Sequence, residues 1–203
     1  MFALTVDQVG SRRSADLVRS IEADRAAFQA AGAVLGPDRT AGDEFQLLLP
    51  APAAALGVAL ELQRGGRWSI GIGVGRVDEP LPGAVREATG PALVAARRAI
   101  EEAKGSPLRL AVAADHDPAG AEDVTALVRL LLEVRSRRSA EGWQVADLLA
   151  AGATQAAVAE RLGVTPQAVS LRVRAAGLRS EQEALPVIVR ALGALDRAVP
   201  ASP

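Results

Sequence analysis

The order of hydrophobic periodicities predicts an α+β chain, with a ferredoxin-like, split-βαβ domain over residues 1–117 and an all-helical domain over residues 118–203. Three observations predict it. Period-two apolar stretches alternate with helical ones through the first half. Glycine and proline punctuate the junctions. Beyond the polar break DHDPAG, which marks the domain boundary, every segment has helical spacing.

FALTVDQV at 2–9 alternates small apolar and polar residues around Asp7 and predicts a strand; Gly10-Ser11 then opens a helix over 12–31. After Gly32, a short strand at 33–39, a tight turn at Ala41-Gly42-Asp43 and a strand at 44–49 make a hairpin. Pro52, at home in a first turn, starts a helix that runs to Gln63, and Gly65-Gly66 ends it. RWSIGIGVGRV at 67–77 sets glycine or serine against isoleucine or valine, so one strand face is nearly bare and a helix or a ligand can approach it closely. GPALVAARRAIEEAK at 90–104 is a helix with proline near its start and Gly105 past its end, and 108–113 is a last short strand. This order predicts helices on one side of an antiparallel sheet. Helices are expected further on at 121–138, 142–151, 154–162, 166–176 and 182–199.

Composition bounds the chemistry. Hydrophobic residues make up 49% of the chain and the mean hydropathy is +0.17, enough for a real core. The 23 basic and 24 acidic residues nearly cancel, so any nucleic-acid surface must be a local patch. Without cysteine there are no disulfides, thiolate metal sites or thiol nucleophiles. His116 is the only histidine and lies in the 115–120 break, which excludes a Ser/His/Asp triad from the first hundred residues and predicts a surface turn residue. Trp68 and Trp143 are expected to pack. The N-terminus has too short an apolar run, broken by Asp7, for a signal peptide. The longest uncharged stretch, 45–60, contains Pro50 and Pro52 and cannot span a bilayer. A cytoplasmic protein with no membrane partner is expected.

The stretch 154–178, TQAAVAERLGVTPQAVSLRVRAAGL, places small Ala159 in one helix, a Gly163 turn, Thr165 as N-cap and Pro166 at the first position of a second helix. It resembles a helix-turn-helix DNA-binding motif. Val158, Leu162, Val164, Val169 and Val173 fall on facing stripes, while Gln167, Ser170, Leu171 and Arg174 face outward with Arg172 on the flank, and the N-cap Thr165 joins them as a DNA-binding candidate. Amide, hydroxyl and guanidinium groups read base edges, and a leucine touches a thymine methyl. From Arg135 to Arg179, seven arginines meet three acids (Glu141, Asp147 and Glu160), a local excess of four positive charges. Two such helices reading a palindrome imply a homodimer. The apolar stripe Leu185, Ile188, Val189, Leu192 and Leu195 is its candidate face, with packing inside its own domain as the alternative.

In the first domain Asp7 ends a strand and Asp43 sits at the tip of the hairpin expected beside it. Two carboxylates from neighbouring strand ends suit Mg²⁺, which takes one or two carboxylates plus substrate phosphates. Gly10-Ser11 would offer backbone N–H groups to a phosphate at a helix N-terminus, with Arg12, Arg13 and Arg98 as counter-charges. A hairpin tip carrying adjacent acids is otherwise simply solvated, and Arg98 could merely neutralise the pair.

VDQVGSR, AGDEFQLLL, RWSIGIGVGRV and GPALVAARRAI, in that order, resemble the metal-binding strand, glycine-aspartate hairpin, later strand and helix of class III nucleotide cyclases and GGDEF domains. With the helix-turn-helix behind them they resemble the SatD family. The resemblance covers residues 2–104 and 154–178. It implies a pocket for a purine nucleotide (ATP, GTP or a cyclic derivative) with Mg²⁺, in which Asp7 and Asp43 hold the metal and Gly10, Ser11, Arg12, Gly42, Asp43, Glu44, Gly90 and Arg98 surround the nucleotide. It implies Asp7, Asp43 and Arg98 as catalytic residues if the domain turns over substrate. Three positions depart: Val94 stands where the cyclases carry a ribose-orienting asparagine, Arg39 or Thr40 where they carry a base-selecting lysine, and Ala41 where GGDEF domains carry their first glycine. The expectation is a DNA-binding regulator with a nucleotide-sensing first domain; the alternative is an active nucleotidyl cyclase or related phosphoryl-transfer enzyme, and a third possibility makes that domain only a dimerisation scaffold.

Overall fold

A computed structural model describes residues 1–200, with the side chain of Arg12 outside the described set. Among these residues the chain is α+β, with one five-stranded mixed sheet and nine α-helices. It divides into two compact units, one of Met1–Arg129 with the segment from Ile188 onward, the other Leu130–Val187. The divisions fall within two helices rather than at the 115–120 break, and each unit is described by itself.

In the first unit the sheet runs β2(Leu35–Ala41), β3(Glu44–Leu49), β1(Phe2–Gln8), β4(Trp68–Val74), β5(Leu110–Ala113). β1 is central and antiparallel to both β3 and β4. β5 is parallel to β4, so the sheet is mixed rather than antiparallel; the intervening helix α4(Pro91–Gly105) makes the crossover.

The pleat sorts the side chains. Phe2, Leu4 and Val6 of β1 lie beside Phe45, Leu47 and Leu49 of β3 and Ile70, Ile72 and Val74 of β4, all on one face. That face carries α1(Val18–Ala23), α2(Arg25–Ala30) and α3(Pro52–Gln63), with Phe28 edge-on to Phe45 and Phe45 edge-on to Trp68. Burial of Trp68 bears out its packing role. The opposite face holds Gly71 and Gly73. There α4 lies so close that a Cβ on Gly71 would stand 2.7 Å from the Ala96 carbonyl, and one on Gly73 would collide with Ala92 and Ala96. The bare strand face therefore receives a helix, and helices cover both faces of the sheet rather than one.

The expected helix at 12–31 is broken. Gly10, at φ +68°, leads into a three-residue 3-10 turn, Ser11–Arg13, and α1 begins only at Val18. Gln8 explains the break: its buried amide donates to the Ser14 hydroxyl and the Ala15 carbonyl, and its oxygen accepts from the Leu17 N–H, holding the loop extended.

The free edge of β5 is covered by α5(Pro118–Ser136). The Thr125 hydroxyl accepts from the Val112 N–H at 2.9 Å, and Arg129 Nε donates to the Leu110 carbonyl at 2.9 Å.

The second unit contains α6(Ala140–Ala150), α7(Gln155–Leu162) and α8(Pro166–Ala175) around buried Val145, Val158, Ala159, Val169, Ala176 and Leu178. The last helix, α9(Leu178–Arg197), begins in this unit and ends in the first. Its Ile188, Leu192 and Leu195 are buried within the first unit, where Asp196 pairs with the chain's N-terminal ammonium. They serve their own chain, so this stripe is not a free dimer face. His116, expected on the surface, is half-buried, with its Nε2 2.8 Å from the Leu195 carbonyl. No described helix is long and apolar enough to cross a membrane.

Candidate functional site

Strand register builds the acidic site. Asp7 on β1 lies directly opposite Glu44 on β3 and Ser69 on β4, on the face that carries α4. The last pair of the β2–β3 hairpin is Ala41 with Glu44, leaving Gly42 and Asp43 as a two-residue turn with Gly42 at φ +50°. The Gln8 N–H donates to the Asp43 carbonyl at 3.1 Å, and the Ser11 hydroxyl donates to the Asp43 carboxylate. Asp7, Ser11, Asp43 and Glu44 are thus brought together, with Gly10 and Gly42 supplying the two turns.

The cations that meet these acids are not those expected. Arg97 Nη1 donates to both oxygens of buried Glu44, at 2.7 and 2.6 Å, and the Thr40 hydroxyl donates to the same carboxylate at 2.7 Å. Lys104 Nζ lies 3.4 Å from the Asp7 carboxylate and 3.2 Å from Glu101. Arg98 points the other way along α4, pairs with Asp115 and lines a separate cavity of about 440 Å³ with Val112 and Glu122. Arg13 is exposed, and the Arg12 side chain lies outside the described residues. Gly90 is a packing residue: at φ +131°, a Cβ there would stand 2.8 Å from the Arg76 carbonyl. Val94 is 62% exposed on α4.

Gly10-Ser11 does not open an α-helix, so the phosphate site at a helix N-terminus is not formed as expected; what remains is a glycine turn with a hydroxyl tied to Asp43. Sequence reasoning missed Lys104 and Arg97, and it singled out Thr40 only as a departure from the cyclase pattern, not as a partner of Glu44. Lys104 carried a signal, as the only lysine in the chain. Arg97 differs from Arg98 only in helical phase.

Burial raises the Asp7 carboxyl above the ordinary carboxylate range. The Lys104 charge opposes this, and the nearby charges of Asp43 and Glu44 add to it. A cation is therefore electrostatically welcome. Among the described residues no group of three or more acids, histidines or cysteines is arranged to hold a metal by itself. Two carboxylates and a hydroxyl do fit a Mg²⁺ that brings phosphate oxygens and waters of its own. A cavity of about 650 Å³ lies on the opposite face, lined by Phe28, Val58 and Trp68 among others, and none of the expected site residues lines it.

The second unit presents the other candidate surface. Thr154 caps α7 by accepting from the Ala157 N–H, Gly163 ends that helix at φ +64°, and Thr165 caps α8 by accepting from the Ala168 N–H. With Val158, Ala159 and Val169 buried, Thr165, Gln167, Ser170, Leu171 and Arg174 are exposed and Arg172 is half-buried. The basic patch is smaller than its sequence count. Arg135 and Arg138 both pair with buried Glu181 and stack on Trp143, at 4.8 and 4.3 Å from its centroid, and Arg137 pairs with Glu133. Trp143 accordingly packs, as expected. Arg161, Arg172, Arg174 and Arg179 have no ion pair among the described residues.

Comparison of the chain with protein-family models, curated proteins and solved structures finds no match.

Proposed function

We propose that this chain is a cytoplasmic, DNA-binding transcriptional regulator of the SatD kind, whose first domain binds a purine nucleotide with Mg²⁺. The observation that carries the proposal is the surface of α8: a helix capped by Thr165 and started by Pro166, packed through Val169, with Gln167, Ser170, Leu171 and Arg174 all left to solvent. Such a surface would suit a helix that enters the major groove as the second helix of a helix-turn-helix does. The strand order β2-β3-β1-β4, with α1/α2 and α3 on the same face, supports a ferredoxin-like, cyclase-like reading of the first domain.

In that domain Asp7 and Asp43 would hold Mg²⁺, which supplies the positive charge that nucleotide phosphates need. Ser11 fixes the Asp43 carboxylate, and Lys104 screens Asp7 until a cation arrives. The pairing of Arg98 with Asp115, and the apolar Val94, favour binding over turnover, because charge developing at a reacting phosphate gains nothing from an arginine held elsewhere. A nucleotide alters DNA binding only through a difference in its affinity for the free and DNA-competent states.

The test is selection of duplexes from a random pool with purified protein, followed by binding measurements across a salt series. A recurrent enriched sequence, and affinity that falls steeply with salt, are expected. Failure to enrich any sequence, together with no binding at low salt, overturns the DNA assignment.

A further inference from the structure

We propose that the cavity beneath α1, α2 and α3 is a second small-molecule site, which takes an aromatic α-amino acid. α1 and α2 form one wall and α3 the other. The walls meet where a Cβ on Gly32 would stand 3.2 Å from the Ala54 Cβ, and they part from there into a cleft of about 650 Å³, the size of a small-molecule pocket. Its floor is made by buried Phe28, Val58 and Trp68.

Toward the junction the walls carry only Ala27, Ala31 and Gly57. Gly57 lies in the middle of α3, where glycine is destabilising relative to alanine, and nothing lies within 4 Å of a Cβ built on it. No positive φ and no close neighbour in the chain calls for glycine there. Room for a ligand does.

α2 runs toward the junction and α3 away from it, so Asp24 and Arg67 come to the other end of the cleft, which is charged. There Glu61 and Arg64 pair along α3 at 3.7 Å. Asp24 and Arg67 are exposed, and neither has an ion pair among the described residues. An acid and a guanidinium that line one cavity without meeting suit a ligand that brings both opposite charges, an ammonium for Asp24 and a carboxylate for the fork of Arg67. The aromatic floor and the wall thinned at Gly57 suit a flat, apolar side chain. An aromatic α-amino acid carries all three groups. This site lies across the sheet from Asp7 and Asp43, and it stands whether or not they bind a nucleotide.

Calorimetric titration of the full chain with L-tryptophan and L-phenylalanine tests it. Saturable binding of at least one is expected. Tryptamine, which lacks the carboxylate, and indolepropionate, which lacks the ammonium, are each expected to bind about tenfold more weakly than L-tryptophan. Arg67→Ala and Asp24→Ala, both at exposed positions, should weaken the amino acid by about the same factor. Gly57→Leu, which fills the cleft, should abolish binding, and thermal unfolding without ligand checks that each variant is folded; if Gly57→Leu is not, the two charge variants decide. No binding of either amino acid at millimolar concentration overturns the proposal. So does binding that keeps its strength when the ligand loses either charge, or that is unchanged in Arg67→Ala.

Discussion

Lys104 Nζ stands 3.4 Å from the Asp7 carboxylate, so the chain's only lysine screens the acid at the centre of the candidate site. Burial holds the Asp7 carboxyl above its ordinary range, with Lys104 opposing and Asp43 reinforcing the rise. A raised folded-state value means that Asp7 contributes stability below its unfolded pKa of about 3.9 and loses that contribution as pH rises through the folded value. Asp7→Asn should therefore raise the Tm at neutral pH, with the gain vanishing near about pH 3. Lys104→Ala should lower the Tm at neutral pH. Thermal unfolding of both variants across pH measures this.

The contact between β4 and α4 predicts opposite effects for two glycine substitutions. Gly73→Ala forces a methyl into the α4 backbone and should destabilise the first unit by about 3 kcal/mol. Gly57, mid-helix in α3 with nothing within 4 Å of a built Cβ, should tolerate Gly57→Ala with a gain of about 0.5–1 kcal/mol. Urea unfolding distinguishes the two.

Pro52, Gly65-Gly66 and the alternating glycines at 71 and 73 made α3 and the bare face of β4 legible, because backbone rules act within a few residues. What filled that face was not legible: close approach suits a ligand as well as a helix. The helix expected after Gly10 is not formed because the Gln8 side chain, reaching past the next turn, bonds the Ala15 carbonyl and the Leu17 N–H, a side-chain contact that helix propensity does not record. The carboxylates of Asp7, Asp43 and Glu44 could be placed from strand order. Their partners could not. Arg97 and Arg98 lie on opposite flanks of α4, and only the placement of β3 on one side and Asp115 on the other decides which arginine meets Glu44. The stripe of α9 is legible as apolar, but its spacing does not reveal whose core it completes.

Glu181 holds the Arg138 guanidinium, whose side chain is 1% exposed, together with Arg135. Removing one member of a buried pair strands the other charge, so Glu181→Ala should cost the second unit about 3–5 kcal/mol. Hydrogen exchange of α6–α8 amides should speed up, while the amides of β1 and β4 stay protected.

Thr165→Ala removes the cap of α8 and should cost about 1 kcal/mol of stability in that unit, read by thermal unfolding. Arg174→Ala leaves the fold intact and should weaken binding to a selected duplex by about 1–3 kcal/mol if it reads a base. A uniform loss over all sequences, with a shallower salt dependence, would assign it to phosphate instead.

Nucleotide binding at the Asp7–Asp43 pair is the central claim, and a thermal-shift titration tests it most directly. Wild type and Asp43→Asn are titrated with ATP, GTP and their cyclic derivatives, with and without Mg²⁺. One purine nucleotide is predicted to stabilise the wild type in a Mg²⁺-dependent way, by about 2.7 kcal/mol at a hundredfold excess over Kd, and to leave Asp43→Asn unmoved. Absence of a shift with every nucleotide, or an equal shift in both proteins, would contradict it.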